Sequence, residues 1–246
     1  MVEIALFIFG AVIGSFLNVV IYRTPRGKSI ISPPSSCPEC GTRIKPQHNI
    51  PILSWIFLKG KCAYCHAPIS KRYPLVEFFT GVLAVLIYIK MKEINIFYFV
   101  TFGVFASLFA LSVIDFDFKA VPDSVNLFAL TLAFFHSPEI FDNFKNALLM
   151  MGGMAFIRYY VSFVVKKEAM GEGDIIVAGT MGALLGIKLS LFAIFLGALL
   201  AIIPSFYQRI TNREFELPFI PFLAAGTFIV WFFSDEFLIL WEKIYG

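Results

Sequence analysis

Apolar runs long enough to cross, or nearly cross, a lipid bilayer recur along almost the whole chain, and that feature leaves few architectures open. About 20 helical residues, rising about 1.5 Å each, span a hydrocarbon core of about 30 Å. Eight runs can be counted, at residues 2–22, 74–89, 94–114, 124–135, 146–165, 175–187, 189–206 and 217–233. None alternates as a barrel strand does, so they read as helices. Composition agrees: 59% of the 246 residues are apolar and 15% are charged, against about 25% charged in soluble domains. A water-soluble globule could not hide so much apolar side chain. The same composition excludes a disordered chain, a collagen-like chain, a coiled coil and a small disulfide-stapled secreted domain. The sequence therefore predicts an all-α, polytopic membrane bundle of about eight transmembrane helices. Its first run carries Glu3 ahead of the apolar stretch and lacks a basic n-region and a small-residue cleavage site, so it reads as a retained helix and not a signal peptide.

Lys and Arg divide unevenly between alternate loops. With the N-terminus outside, the inner loops hold fourteen of them: nine between Arg23 and Arg72, then Lys119, Lys166, Lys167, Arg209 and Arg213. The outer segments hold five, Lys90, Lys92, Lys145, Lys188 and Lys243, while Arg158 lies inside the fifth run. Cations favour the cytoplasmic side, which sets the expected orientation. The 23–73 loop opposes its nine cations with the single acid Glu39 and would attract anionic headgroups or phosphate-bearing ligands. No motif supports nucleic acid as a partner. The expected organisation is a first transmembrane helix over 1–22, a cytosolic loop over 23–73 and a seven-helix membrane core over 74–246.

All four cysteines fall in that loop, as Cys37-Pro38-Glu39-Cys40 and Cys62-Ala63-Tyr64-Cys65. Two C-x-x-C pairs at this separation are close to the four-thiolate zinc pattern, in which each pair offers two sulfurs from one turn. A loop this short has little core of its own, so a structural zinc would supply much of its folding free energy. Redox pairs and unligated thiols are the competing readings. Trp55 and Tyr73 read as interfacial aromatics. Glu77, one turn into the second run, is either a functional carboxylate or a cap on its helix.

Three acids cluster at the end of the third run. Asp123 resembles a helix cap, Asp117 lies further toward solvent, and Asp115 abuts the apolar run, where a carboxylate is costliest to hold. The other acidic site is Met170-Gly171-Glu172-Gly173-Asp174, followed at once by an apolar run of only 13 residues. Its shortness predicts a recessed Asp174 in a cavity, with Gly171 and Gly173 allowing turns or close approach. Two Asp at inner helix ends suggest a pair sharing one proton, one acting as acid while the other activates water. Arg158 either offsets these acids or snorkels to the inner face.

Taken in order, these residues resemble the type IV prepilin leader peptidases with N-methyltransferase activity, membrane aspartic proteases of the G-x-G-D class. The likeness covers Gly14-Ser15-Phe16-Leu17-Asn18-Val19-Val20-Ile21-Tyr22-Arg23, both C-x-x-C pairs, Asn49-Ile50-Pro51 and Ser54-Trp55. It continues through Gly60-Lys61-Cys62, Arg72-Tyr73-Pro74-Leu75-Val76-Glu77, Ile114-Asp115, Pro122-Asp123, Gly171-Glu172-Gly173-Asp174, Gly182-Ala183 and Pro218-Phe219. The resemblance implies that Asp115 and Asp174 are the catalytic pair, supported by Gly171, Gly173 and Glu77. The pair would cut the basic leader of prepilins or pseudopilins on the cytoplasmic face of the bacterial inner membrane. It further implies methylation of the exposed amino group from S-adenosylmethionine, and the complete cysteine loop favours this two-activity form over peptidase-only relatives. Trp55 or Tyr64 could face the sulfonium through cation–π attraction, with packing as the simpler role.

Two positions depart from the family pattern: Ile176 stands where a Lys is common, and Pro218-Phe219-Ile220-Pro221 replaces Pro-Phe-Gly-Pro. The rival assignments are a membrane dithiol oxidoreductase using the two C-x-x-C pairs, and a non-enzymatic scaffold or transporter. The oxidoreductase leaves the Gly-x-Gly-Asp site unexplained, and a scaffold or transporter predicts that Asp115→Asn or Asp174→Asn leaves prepilin processing intact.

Overall fold

The computed structural model describes residues 1–167, 170–210 and 217–245. Arg213, counted above among the inner cations, lies outside them. Among the described residues there is no sheet, only isolated bridges between Ser36 and Arg43 and between Lys61 and Pro68. The chain divides into two compact units, Met1–Glu93 and Ile94–Gly246.

In the first unit, α1 (Val2–Arg23) pairs with α3 (Arg72–Met91), and the loop between them carries the short α2 (Leu53–Phe57). Gly10 and Gly14, spaced as one small residue per turn, let the two long helices approach closely. A methyl group on Gly10 would lie 2.5 Å from the Thr80 carbonyl oxygen, and one on Gly14 would lie 2.8 Å from the Glu77 Cα. Trp55 is folded into the loop. Its ring covers Gly60, and its Nε1 donates to the Ile69 carbonyl at 3.1 Å.

The second unit comprises α4 (Ile96–Phe118), α5 (Asp123–Phe134), α6 (Ile140–Val165), α7 (Glu172–Ile210), α8 (Ile220–Phe232) and α9 (Ser234–Tyr245). At α5, Pro122 takes the N-cap position without a side-chain cap, and Asp123 is already helical. Its carboxylate therefore favours the positive end of the helix without the capping bond expected from the sequence.

The 39-residue α7 is broken at Gly186, where φ is 69° and ψ is 174°, a combination essentially confined to glycine. Neighbours on the two sides of the break run in opposite senses. Before it, Gly179 and Gly182 face Met151 and Met150 of α6; after it, Ala193 faces Gly226 and Gly197 faces Phe222 and Leu223 of α8. Because α8 starts beside Asp115, the chain leaves that end before Gly186 and returns to it afterwards. Gly186→Ala should cost about 1–3 kcal/mol, read as a lower thermal midpoint in detergent; an unchanged midpoint would show that the break tolerates a side chain.

By length and composition, five helices among the described residues can cross a membrane, or six if α8 and α9, bent by 84°, count as one. That count takes α7 as a single span and omits α5, which has 12 residues. The expected eight runs all fall on helices; the numbers differ because 175–187 and 189–206 share one broken element and because α5 is short. The sequence reading does not anticipate α9. Its Phe237 and Trp241 rings lie 5.4 and 5.8 Å from the Phe192 ring, and the Lys188 ammonium sits 5.7 Å from the Trp241 ring.

Candidate functional site

In the second unit, Asp115 lies in the last turn of α4 and Asp174 in the first turn of α7. Both are buried, at 7% and 8% exposure. Asp115 Oδ2 accepts from the Ile220 amide at 3.2 Å, at the positive end of α8. Asp174 Oδ2 accepts from the Gly171 amide at 3.2 Å, the reach-back of a third helical residue to the N-cap. The two aspartates belong to one end of the unit: Gly173, next to Asp174, packs against Val121, six residues after Asp115.

The glycines between them serve differently from each other. Gly171 is the cap whose amide Asp174 holds. Gly173 is helical rather than a turn residue, and its hydrogen faces Val121, whose Cβ would be 2.7 Å from any methyl group placed there. From α5, Asn126 Nδ2 donates to the Gly173 carbonyl at 2.9 Å. Sequence reasoning misses Val121 and Asn126; a polar Asn inside a short apolar helix is the one signal that could have flagged the latter. Arg158, read from the sequence as either offsetting the Asp pair or snorkelling to the inner face, reaches the neighbouring acid of the motif. Its guanidinium meets Glu172, the exposed acid of the motif, at 3.2 Å. A recess of about 360 Å³ beside the start of α8 is lined by Ala198, Ala201, Ile202, Ser205, Phe206 and Phe219. Neither aspartate lines it.

In the first unit, the four cysteine sulfurs gather within 4.8 Å of one another. Two like turns hold them. Cys37 accepts from the Gly41 amide and Cys62 from the His66 amide, at 2.9 and 3.1 Å, and Gly41 and His66 both take positive φ. The amide of each first cysteine then closes the turn on the carbonyl of Thr42 or Ala67, at 3.0 and 2.8 Å. Hydrogen bonds from the Thr42 hydroxyl and amide push the Cys40 thiol down to about 6. The Cys65 and Tyr64 amides hold Cys62 below the ordinary thiol value. The Cys37 to Cys65 sulfur separation, 3.8 Å, matches the edge of a tetrahedron with metal–sulfur bonds of about 2.3 Å. The donor set thus fits a thiolate metal.

Glu77 does not cap its own helix, which begins five residues earlier at Arg72. Its Oε2 accepts from the Ile52 amide at 2.7 Å and fixes the start of α2, where Ile52 sits at φ 62°. Asn18 braces the same region through a 3.1 Å bond from Nδ2 to the Tyr73 carbonyl.

Fold and site together define an all-helical membrane protein with two buried aspartates at one end of a helical unit and a separate four-thiol loop. Residues 8–91 match the bacterial peptidase A24 N-terminal domain, and residues 102–206 match the type IV leader peptidase family. The chain is 33% identical over 246 residues to the prepilin leader peptidase/N-methyltransferase of Bacillus subtilis, covering 97% of each. It is 34% identical over 241 residues to that of Vibrio cholerae, covering 92% of this chain and 94% of that one. It is 39% identical over 214 residues to that of Myxococcus xanthus, covering 80% of this chain and 62% of that one. No solved structure matches it significantly. The chain belongs to the type IV leader peptidase family.

Proposed function

We propose that this chain cleaves the leader of type IV prepilins or pseudopilins with Asp115 and Asp174 as its acid–base pair, and then N-methylates the new N-terminal residue. The observation that carries the proposal is the placement of two buried carboxylates, one ending α4 and one beginning α7, at the same end of the unit, where Gly173 packs against Val121. Like charges so placed do not both ionise cheaply, so the pair holds one proton between them. The ionised member takes one proton from water as the water oxygen bonds to the scissile carbonyl carbon. The protonated member gives its proton to the leaving nitrogen as the carbon–nitrogen bond breaks. Helix starts on α7 and α8 fix each carboxylate through a backbone amide.

Methyl transfer requires an unprotonated amine, whose ordinary pKa is about 7.7–8.0, and S-adenosylmethionine is the methyl-donating substrate. Cys37, Cys40, Cys62 and Cys65 would hold zinc, which supplies folding free energy to the loop. The excess of Lys and Arg in alternate loops supports an inner-membrane protein with its N-terminus outside and the Asp pair toward the cytoplasm.

The test is to incubate the purified protein with a prepilin and S-adenosylmethionine and to follow mass. The expected products are mature pilin heavier by one methyl group and a free leader; intact prepilin would refute the proposal. The close contact at Gly173 adds a second expectation. Gly173→Ala should slow cleavage and lower the thermal midpoint by overpacking worth about 1–3 kcal/mol, and Val121→Ala should restore both. Gly171→Ala, where a methyl group would meet only Asp174 Oδ2 at an ordinary 3.5 Å, should be much milder. Equal effects at the two glycines would contradict the packing role of Gly173.

A further inference from the structure

Asn126 is fully buried in α5, at 0% exposure, yet only half of its carboxamide is matched. Nδ2 donates to the Gly173 carbonyl at 2.9 Å, while Oδ1 is buried with no donor among the described residues. The amide cannot simply reverse, because Oδ1 would then oppose the Gly173 oxygen, acceptor against acceptor. A hydrogen-bond acceptor is therefore held beside the first turn of α7. Buried amide oxygens are seldom left without a donor. Within that turn the glycines offer no side chain and Glu172 extends to Arg158. Asp174 remains, and it donates only when protonated. Its Oδ2 already accepts from the Gly171 amide, which leaves Oδ1 to carry the hydrogen.

We propose that Asn126 is a positioning residue that keeps the shared proton on Asp174 Oδ1, making Asp174 the acid of the pair and Asp115 the base. The inference rests on the peptidase function proposed above. Asp115 is suited to the complementary role, since its Oδ2 faces the Ile220 amide at a helix start, which favours a carboxylate. In cleavage, Asp115 takes one proton from water while the water oxygen bonds to the carbonyl carbon. Asp174 gives its proton to the nitrogen as the carbon–nitrogen bond breaks. The proton then rests on Asp115, and one transfer between the carboxyls resets the pair.

Thr and Val at position 126 separate this role from packing. They are alike in shape, but only the Thr hydroxyl can donate to the Gly173 carbonyl and accept from Asp174. Asn126→Thr should keep kcat within about threefold of the parent, and Asn126→Val should lower it about tenfold or more at unchanged KM, the scale of one lost hydrogen bond. Equal kcat values for the two variants would overturn the proposal. Infrared spectra of protein labelled with ¹³C at Asp carboxyls give a reading independent of turnover. A protonated-carboxyl band should vanish in Asp174→Asn and shift in Asn126→Val. A band that survives Asp174→Asn, or that Asn126→Val leaves unmoved, would overturn the assignment. If Asp115→Asn and Asp174→Asn both still cut prepilin, the chain is not a peptidase of this kind. If both are inactive while Asn126→Val cuts at the parental rate, only the role of Asn126 fails.

Discussion

Asp115→Asn and Asp174→Asn should each slow leader cleavage by about a thousandfold or more while the protein stays folded. The size follows from chemistry: a positioned acid or base contributes about 10²–10⁴ in rate, and the residual pair cannot exchange its proton for the missing function. Folding should survive because Asn keeps an oxygen to accept from the Ile220 or Gly171 amide, the contacts that seat the two carboxylates. Product masses over time measure the rate, and a detergent melting curve verifies the fold. Cleavage within about threefold of the parent by either variant would leave an ordinary structural acid at that position, a difference of under about 1 kcal/mol in the barrier.

The second large effect concerns the loop. Cys37→Ser, or a strong chelator, should strip zinc from the protein, expose 23–73 to protease and abolish methylation, while leader cleavage persists. Structural zinc in small domains carries an apparent free energy of about 10–16 kcal/mol, and the two cysteine turns have little else to hold them together. The bridges Ser36 to Arg43 and Lys61 to Pro68 each span only one turn. The sign of the pH dependence is fixed, because the ligands are thiolates: acid protonates them, so metal affinity and loop protection fall together as pH falls. Elemental analysis, limited proteolysis and pilin mass measure the three outcomes. A zinc-free protein with an intact, methylating loop would contradict the thiolate site.

Much of this was legible in the chain. Long apolar runs fixed the helices because lipid demands internally satisfied backbone, and few residue types meet that demand. The cysteines and the two aspartates stood out because thiols in paired turns and carboxylates at apolar helix ends are costly without a purpose. What stayed hidden depended on partners distant in sequence. Counting 175–187 and 189–206 as separate runs puts a break at Lys188, but hydropathy does not place the turn on Gly186, since the φ of 69° is a property of the backbone and not of the side-chain pattern. Nor does it say that Glu77 would be met by the Ile52 amide 25 residues away. For Gly173 the sequence leaves a turn and close approach both open, and only the position of Val121 decides for close approach. Asn126 carries no charge, and among apolar neighbours it draws attention only once the Gly173 carbonyl lies beside it. For Trp55 the sequence suggests only an indole suited to a membrane interface; that its donor is used by the Ile69 carbonyl within the loop depends on a partner 14 residues away.

That the two carboxylates work as one unit is tested most directly by the residual cleavage rate of the double variant Asp115→Asn/Asp174→Asn. Groups that act together are grossly non-additive, so the double variant should be no slower than either single one. A double variant slower by the product of the two single effects would mean that Asp115 and Asp174 act independently, and that they do not form a proton-sharing pair.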